Sequence, residues 1–199
     1  MNTDTAALAA IDAATRELQL PQIRTEAERL GSAAQRDHVS YLGFLAEVLA
    51  LEVDARSERR KQRRVVEARF PRNKRLTGFD LDAAPTVNPA TIATLATGSY
   101  LDAGEPVCLL GDSGTGKTHL LIGLGIAACE QGRRVRYVTA AQLVNELVEA
   151  ADDRKLSRLV TRYGRLDLLC LDLCRHRDYA EVVLADRWCS WLAGGCGSA

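Results

Sequence analysis

The segment GDSGTGKT at positions 111–118 constrains the fold of this chain more than any other feature. It matches the pattern G-x-x-x-x-G-K-[ST] at every specified position, and it lies between a short apolar run, Pro106–Leu110, and a helical segment, Lys117–Glu130. Glycines in this context allow a tight turn whose backbone N–H groups face phosphate oxygens, and the dipole of the following helix favours the same negative charge. The pattern therefore predicts a strand–loop–helix unit that binds nucleotide phosphates.

Individual residues of this loop have distinct expected roles. Lys117 is expected to reach the outer phosphates, and the Thr118 hydroxyl is expected to coordinate Mg²⁺. A glycine-rich turn that binds nothing is the alternative, and the flanking strand and helix count against it. The expected cofactors are ATP and Mg²⁺. The predicted nucleotide-binding residues are Gly111, Asp112, Ser113, Gly114, Thr115, Gly116, Lys117 and Thr118.

Strands and helices alternate in the region that follows the loop. Val135–Thr139 is rich in β-formers, Ala141–Ala150 is helical, and a further helix ends at Gly164. Leu166–Asp172 is a continuous apolar run, as expected for a strand that is buried on both faces. This alternation predicts an α/β fold with a parallel sheet and helices on its faces, the architecture of a P-loop NTPase core.

Asp172 ends that last apolar run, where a nucleotide-binding sheet places its second magnesium contact. Apolar runs that end in Asp are common, so this prediction depends on the phosphate loop that precedes it. The next position, where ATPases that activate water usually carry a second acid, is Leu173. A leucine side chain cannot accept a proton, so no catalytic residue is assigned, and whether the chain is an active ATPase stays open.

Charge is distributed unevenly although the chain has 26 basic and 26 acidic residues. Residues 56–75 hold ten basic side chains and two acidic ones, and residues 1–55 hold four basic and nine acidic. A positive ridge on one helix predicts sequence-nonspecific contact with the phosphate backbone of DNA. The alternative is a solvated helix face that packs against acidic residues of the N-terminal block. The ridge residues are Arg56, Arg59, Arg60, Arg63 and Arg64.

Residues 1–70 are predicted to be a helical N-terminal domain that carries this ridge. Leu42, Leu45, Leu49 and Val53 recur at three- and four-residue steps, which indicates a helix that buries one face. Residues 71–104 are rich in turn-forming residues and are predicted to be a linker. Residues 105–172 then form the P-loop nucleotide-binding core, and residues 173–199 form an atypical tail.

Several segments resemble the IstB-like ATP-binding proteins, helper ATPases of insertion-sequence transposition that are related to DnaC-type helicase loaders in the AAA+ class. The segments are LQLPQIRTEAERL, YLGFLAEVLALE, ARFPRNKRLTGFD, VCLLGDSGTGKTHLLIGLG, YVTAAQLVNELVEA and YGRLDLLCLD. The resemblance implies ATP binding, homo-oligomers on DNA and a partner transposase. It implies that Gly111–Thr118 is the phosphate loop and that Asp172 is the metal-facing acid.

This resemblance is expected to end at Asp172. The tail holds both tryptophans and three of the six cysteines, which favours a truncated or frameshifted copy over a divergent tail. In the AAA+ class a further strand lies between the loop-bearing strand and the Asp172 strand. Only Val182–Ala185 is strand-like here, and the apolar residues of the tail fit a helical period better. We therefore expect an incomplete sheet, poor ATP hydrolysis, and no restored hydrolysis from Leu173→Glu.

The function predicted from these features is an ATP-binding helper of DNA transposition that contacts DNA and a transposase. The alternatives are a helicase-loader-like ATPase of DNA replication, a small-molecule or nucleoside kinase, and a non-enzymatic remnant that binds DNA or a partner. The chain has no apolar run of the roughly 20 residues that a membrane helix needs, and its start lacks a basic segment before an apolar stretch. These features predict a cytoplasmic protein.

Overall fold

The computed structural model describes residues 3–112, 114–173 and 181–185. Tertiary contacts divide the chain into two compact units, Met1–Arg60 and Lys61–Ala199. The division falls inside a helix, Tyr41–Glu67, rather than at residue 70, where the sequence places the domain boundary. The last turns of this helix belong to the second unit because Val65, and Ala68 directly after the helix, pack in the core of that unit.

The first unit consists of helices α1 (Thr3–Glu17), α2 (Pro21–Arg36) and most of α3 (Tyr41–Glu67). Pro21 stands at the start of α2, where its missing N–H costs no hydrogen bond. Helix α2 continues past Gly31, because a single glycine weakens a helix without breaking it.

The apolar stripe of α3 is exposed, and the prediction that it is buried is wrong for the described residues. Leu42 is 79% exposed, Leu45 52%, Leu49 49% and Val53 64%. The three- and four-residue spacing does form a helix, as predicted. Spacing alone does not determine whether another element packs against the stripe, since that depends on the tertiary fold.

A mixed four-stranded sheet forms the centre of the second unit, and this confirms the predicted α/β class. Its strands are β1 (Val107–Leu109), β2 (Val135–Thr139), β3 (Leu168–Asp172) and β4 (Glu181–Ala185), in the spatial order β1-β4-β3-β2. Strands β2 and β3 are parallel, with Thr139 opposite Asp172. A parallel pair of this kind brings the carboxyl ends of two strands to one edge of the sheet.

Strand β4 lies between β1 and β3 and runs antiparallel to both. Val183 is opposite Val107 on one side and Cys170 on the other. The expectation that no strand fills this central position is therefore wrong. Buried backbone N–H and C=O groups need partners, and segment 181–185 supplies them to both neighbours. The rest of the tail, residues 174–180 and 186–199, lies outside the described residues, and so does most of its predicted helical period.

The segment predicted as a linker, residues 71–104, contains helices in the structure. These are α4 (Pro89–Ala96), α5 (Ser99–Ala103) and a 3₁₀ turn at Leu76–Gly78. Its prolines and glycines mark helix ends as well as turns. Pro89 is the first residue of α4, and the side chain of the preceding Asn88 caps the helix. The segment packs against the core of the second unit, in which its Tyr100 side chain is buried.

Three further helices surround the sheet: α6 (Lys117–Glu130), α7 (Ala140–Asp152) and α8 (Leu156–Tyr163). Helix α6 packs against β2 and β3. Its side chains at Leu121, Ile122 and Ile126 are almost completely buried. Helix α6 therefore anchors the phosphate loop to the core. Within the described residues, the helices are too short or too polar to cross a bilayer.

Candidate nucleotide-binding site

The described residues of the phosphate-loop segment 111–118 lie between β1 and the first turn of α6, and two of their glycines have the conformation of a tight turn. Gly114 has φ 84° and Gly116 has φ 87°, both in the left-handed region that side-chain-bearing residues avoid. A Cβ atom at Gly116 would also lie 2.7 Å from the ring of Phe79. Position 116 therefore requires glycine for both its conformation and its surroundings. Ser113, a predicted phosphate contact, lies outside the described residues.

Two side chains of the loop converge on one carbonyl oxygen. The Lys117 Nζ donates to the Asp112 carbonyl at 2.7 Å, and the Thr115 hydroxyl donates to the same oxygen at 2.8 Å. The ammonium group is thus held over its own loop by a backbone acceptor. A phosphate oxygen is a stronger acceptor for an ammonium than a carbonyl, so the Lys117 contact is one that a bound phosphate can replace.

Residues 75–79 cover the first turns of α6, and no predicted site residue lies in this segment. The His119 Nε2 lies 2.9 Å from the Arg75 carbonyl, and the rings of Phe79 and His119 meet edge to face at 5.4 Å. Leu76 packs where a Cβ atom at Gly123 would stand. The glycine spacing on α6 was the available signal, because a glycine inside a helix permits close approach of another segment.

Asp172 lies at the carboxyl end of β3, as predicted, and its side chain is buried, with the residue 3% exposed. The Tyr137 hydroxyl donates a hydrogen bond of 2.5 Å to the Asp172 Oδ2. Tyr137 lies on β2, in register with Cys170, and it was not among the predicted site residues. The register of two parallel strands cannot be read from the separate apolar runs, so this pair becomes visible only in the fold.

The predicted magnesium donors are both oxygen atoms, which suits Mg²⁺. Thr118 lies in the first turn of α6, and Asp172 follows β3. In the described part of the chain, no cluster of three or more His, Cys, Asp or Glu could hold a metal ion. One carboxylate and one hydroxyl fit a metal that arrives with nucleotide phosphates, because Mg²⁺ commonly takes only one or two protein ligands at such sites. The next residue, Leu173, is half-buried and carries no acid.

Two arginines of the predicted ridge contact a buried carboxylate in the first unit. Arg56 Nε lies 3.1 Å and Arg59 Nη2 3.3 Å from Oε1 of Glu52, and the Gln22 N–H donates to its Oε2 at 2.9 Å. Burial alone would raise the pKa of Glu52, but the hydrogen bonds from Gln22 and Arg56 outweigh it and lower that pKa. Arg56 and Arg59 therefore have a structural role in the helical unit.

The other ridge residues have fewer partners. Arg63 forms an exposed ion pair with Glu67, at 3.3 Å. Arg60 and Arg64 form no ion pair with any other described residue. The alternative in which the ridge packs against acidic residues thus holds for part of it, namely Arg56 and Arg59 with Glu52.

Comparison with known proteins gives consistent matches. The sequence profile of a family described as IstB-like ATP binding protein matches residues 13–183. A protein of Sinorhizobium fredii named as an insertion sequence ATP-binding protein is 33% identical over 169 residues, which are 83% of this chain and 57% of that protein. The ATP-binding protein named for insertion sequence IS5376 of Geobacillus stearothermophilus is 31% identical over 155 residues, 78% of this chain and 62% of that protein.

A replication protein also matches part of the chain. The chromosomal replication initiator protein DnaA of Deinococcus radiodurans is 35% identical over 103 residues, 50% of this chain and 22% of that protein. The chain spans 57% and 62% of the length of the two insertion-sequence proteins.

The expectation that the resemblance ends at Asp172 is wrong, because the family profile continues to residue 183, within β4.

Proposed function

We propose, because the chain belongs to the IstB-like ATP-binding protein family, that it binds ATP and serves as a helper of DNA transposition. The observation that carries this proposal is the complete phosphate-loop motif in the sequence at positions 111–118, between β1 and α6, with Asp172 at the carboxyl end of β3. The insertion-sequence proteins match more of the chain than the replication initiator does. This difference favours transposition over a helicase-loader role.

Nucleotide binding would use the loop as follows. Backbone N–H groups of the turn and the start of α6 face the phosphates, and Lys117 transfers its hydrogen bond from the Asp112 carbonyl to a phosphate oxygen. Thr118 and Asp172 are the residues that would hold Mg²⁺. When bound, the metal ion neutralises part of the phosphate charge. The 75–79 segment keeps the first turn of α6 in place.

Lys117→Ala tests this binding. We expect the wild-type chain to bind a fluorescent ADP or ATP analogue and the variant to lose that binding. Lys155→Ala is the matched control, because it removes a lysine whose ion pair with Asp153 lies outside the loop. Equal affinity in wild type and Lys117→Ala would contradict the proposal, provided that both proteins show the same helical content by circular dichroism.

DNA contact is the second part of the proposal, through the phosphate backbone and without sequence preference. The surplus of basic residues at 56–75 supports it, and the ion-pair pattern identifies Arg60 and Arg64 as the residues to test. Replacing each with alanine should weaken binding and lower the slope of log affinity against log salt by about one per contact. Arg16→Ala, on α1, is the control. Binding that does not depend on salt would contradict this part.

Slow ATP hydrolysis is the third part. Leu173 stands where an acid would orient the attacking water, a role that is typically worth about 10²–10⁴-fold in rate. Strand β4 lies between β1 and β3, so an incomplete sheet is no longer a reason to expect that Leu173→Glu fails to restore hydrolysis. Leu173→Glu therefore tests directly whether the missing acid limits hydrolysis. Steady-state turnover of the wild type, with and without DNA, should stay near background. Rapid turnover would show that another group replaces the acid.

Partners complete the proposal. A helper of this kind would assemble as homo-oligomers on DNA and contact the transposase of its own insertion sequence, in the cytoplasm. Light scattering with and without ATP and DNA tests the assembly, and co-purification with that transposase tests the contact. A monomer under all conditions, or no transposase contact with ATP and DNA present, would contradict these assignments.

A further inference from the structure

We propose that Tyr137 is a positioning residue for Asp172, so that its hydroxyl orients the carboxylate that faces Mg²⁺. This inference rests on the proposed nucleotide binding. Tyr137 lies on β2 and not in the phosphate loop. Its hydroxyl should affect how much Mg²⁺ increases the affinity for ADP, an effect that packing of the ring alone would not have.

The hydrogen bond between these two side chains is buried. The Tyr137 hydroxyl lies 2.5 Å from the Asp172 Oδ2, while Tyr137 is 7% exposed and Asp172 is 3% exposed. Hydrogen bonds to an ionised carboxylate are stronger than neutral ones, and low exposure strengthens them further. A donor at one carboxylate oxygen fixes the plane of the group and therefore the direction that it presents to a metal ion.

Tyr137 is itself held from three sides. Its backbone N–H donates to the Ala68 carbonyl at 2.8 Å, and β2 pairs with β3 so that Tyr137 stands opposite Cys170. Its ring lies 6.1 Å from the ring of Phe70, tilted by 59°. These contacts fix the backbone and the ring, so the hydroxyl is delivered to Asp172 from a rigid support. Rigid support of a ligand is the usual way in which neighbouring residues tune a metal site.

Tyr137→Phe tests the proposal because it removes the hydroxyl and keeps the ring. The measurement is the affinity for ADP with Mg²⁺ and with EDTA, from which the enhancement by Mg²⁺ is taken as a ratio. We expect the affinity in EDTA to stay unchanged and the enhancement to fall by about 3- to 10-fold, the range of one lost hydrogen bond. An unchanged or increased enhancement would overturn the proposal.

Tyr163→Phe is the matched control. It removes a tyrosine hydroxyl that also donates to a carboxylate, at 2.9 Å to Glu146 Oε2, but that carboxylate is not a predicted metal ligand. The enhancement by Mg²⁺ should equal that of the wild type. Tyr137→Phe in an Asp172→Asn background should have no further effect, since the group that it orients is already changed. A full additional loss in that background would overturn the proposal.

A purely structural role for Tyr137 predicts a different result, in which affinities with Mg²⁺ and with EDTA fall together. Phe70→Leu keeps the hydroxyl but loosens the ring contact, so it should reduce the enhancement by less than Tyr137→Phe does. If Tyr137→Phe and Phe70→Leu each lowered the affinity equally with Mg²⁺ and with EDTA, the proposal would be overturned. If the wild type shows no ADP binding, the proposed function fails; if it shows enhancement by Mg²⁺ that Tyr137→Phe retains, only this inference fails.

Discussion

The long helices of the two units use their apolar residues in opposite ways. In the second unit, α6 has nine buried residues in a run of fourteen and lies against the sheet. In the first unit, α3 leaves Leu42, Leu45 and Val53 mostly exposed. What α3 does bury includes a carboxylate, Glu52, which accepts hydrogen bonds from Gln22 and two arginines.

This contrast indicates different sources of stability. Burial of apolar side chains at about 25 cal/mol per Å² stabilises the α6 region, and any loss of volume there leaves a cavity. The first unit buries few large apolar side chains, with Ile23 and Val48 as examples, so directional hydrogen bonds have a larger share of its stability. Substitutions of the same kind should therefore have unequal effects in the two units.

The largest expected difference is between two leucine-to-alanine substitutions. Leu121→Ala, on α6, removes a side chain that is 0% exposed, whereas Leu45→Ala, on α3, removes one that is 52% exposed. We expect Leu121→Ala to lower the free energy of unfolding by about 2–5 kcal/mol and Leu45→Ala to change it by about 0.5 kcal/mol or less. Denaturant unfolding, followed by hydrogen exchange of peptides from each unit, measures both. Comparable losses would show that the α3 stripe is covered in solution.

The next effect concerns the buried carboxylate. Glu52→Ala removes the acceptor of Gln22, Arg56 and Arg59, and we expect it to destabilise the first unit by about 1–2 kcal/mol, since the arginines are partly exposed to solvent. Glu47→Ala, on the same helix and exposed, is the control and should have little effect. Faster hydrogen exchange in peptides from α2 and α3 measures the change. Equal exchange in the two variants would contradict it.

Local features of the fold and of the site could be predicted from the sequence. Helix α6 and strand β2 have the bounds that their residues indicate, because helical spacing and β-branched runs act over a few residues. Asp172 was located by the same reasoning, since it ends a continuous apolar run. The long α3 helix also follows from its spacing.

Features that depend on distant segments could not be predicted. The period of α3 does not specify what packs on it. Val182–Ala185 is strand-like in sequence, but nothing in that run indicates that it pairs between β1 and β3. Tyr137 joins Asp172 only through the register of β2 with β3. The buried Glu52 depends on Gln22, in the first turn of α2. In each case the energy comes from contacts between residues far apart in the chain, for which a single sequence carries no direct signal.

The smallest expected effect is a pH dependence that differs between the two units. The pKa of Glu52 lies below its ordinary value of 4.5, so its contribution to stability is fully present above pH 4.5 and is lost as the pH falls through the lower folded-state pKa. Asp167 behaves alike in the second unit: burial alone would raise its pKa, but hydrogen bonds from Arg134 outweigh it and lower that pKa.

Each group should affect only the peptides of its own unit. Glu52→Gln should remove part of the acid-dependent loss of protection in α2 and α3, and Asp167→Asn should do so around β2 and β3, with no change above pH 5 beyond a constant offset. The effect is smaller than that of Glu52→Ala because a protonated carboxyl still accepts hydrogen bonds. Hydrogen exchange between pH 3.5 and 6, with labelling times scaled for slow exchange in acid, resolves the two regions. If either variant altered the acid dependence of both units equally, the two units would unfold in one cooperative transition. Their different packing would then not give them different stabilities.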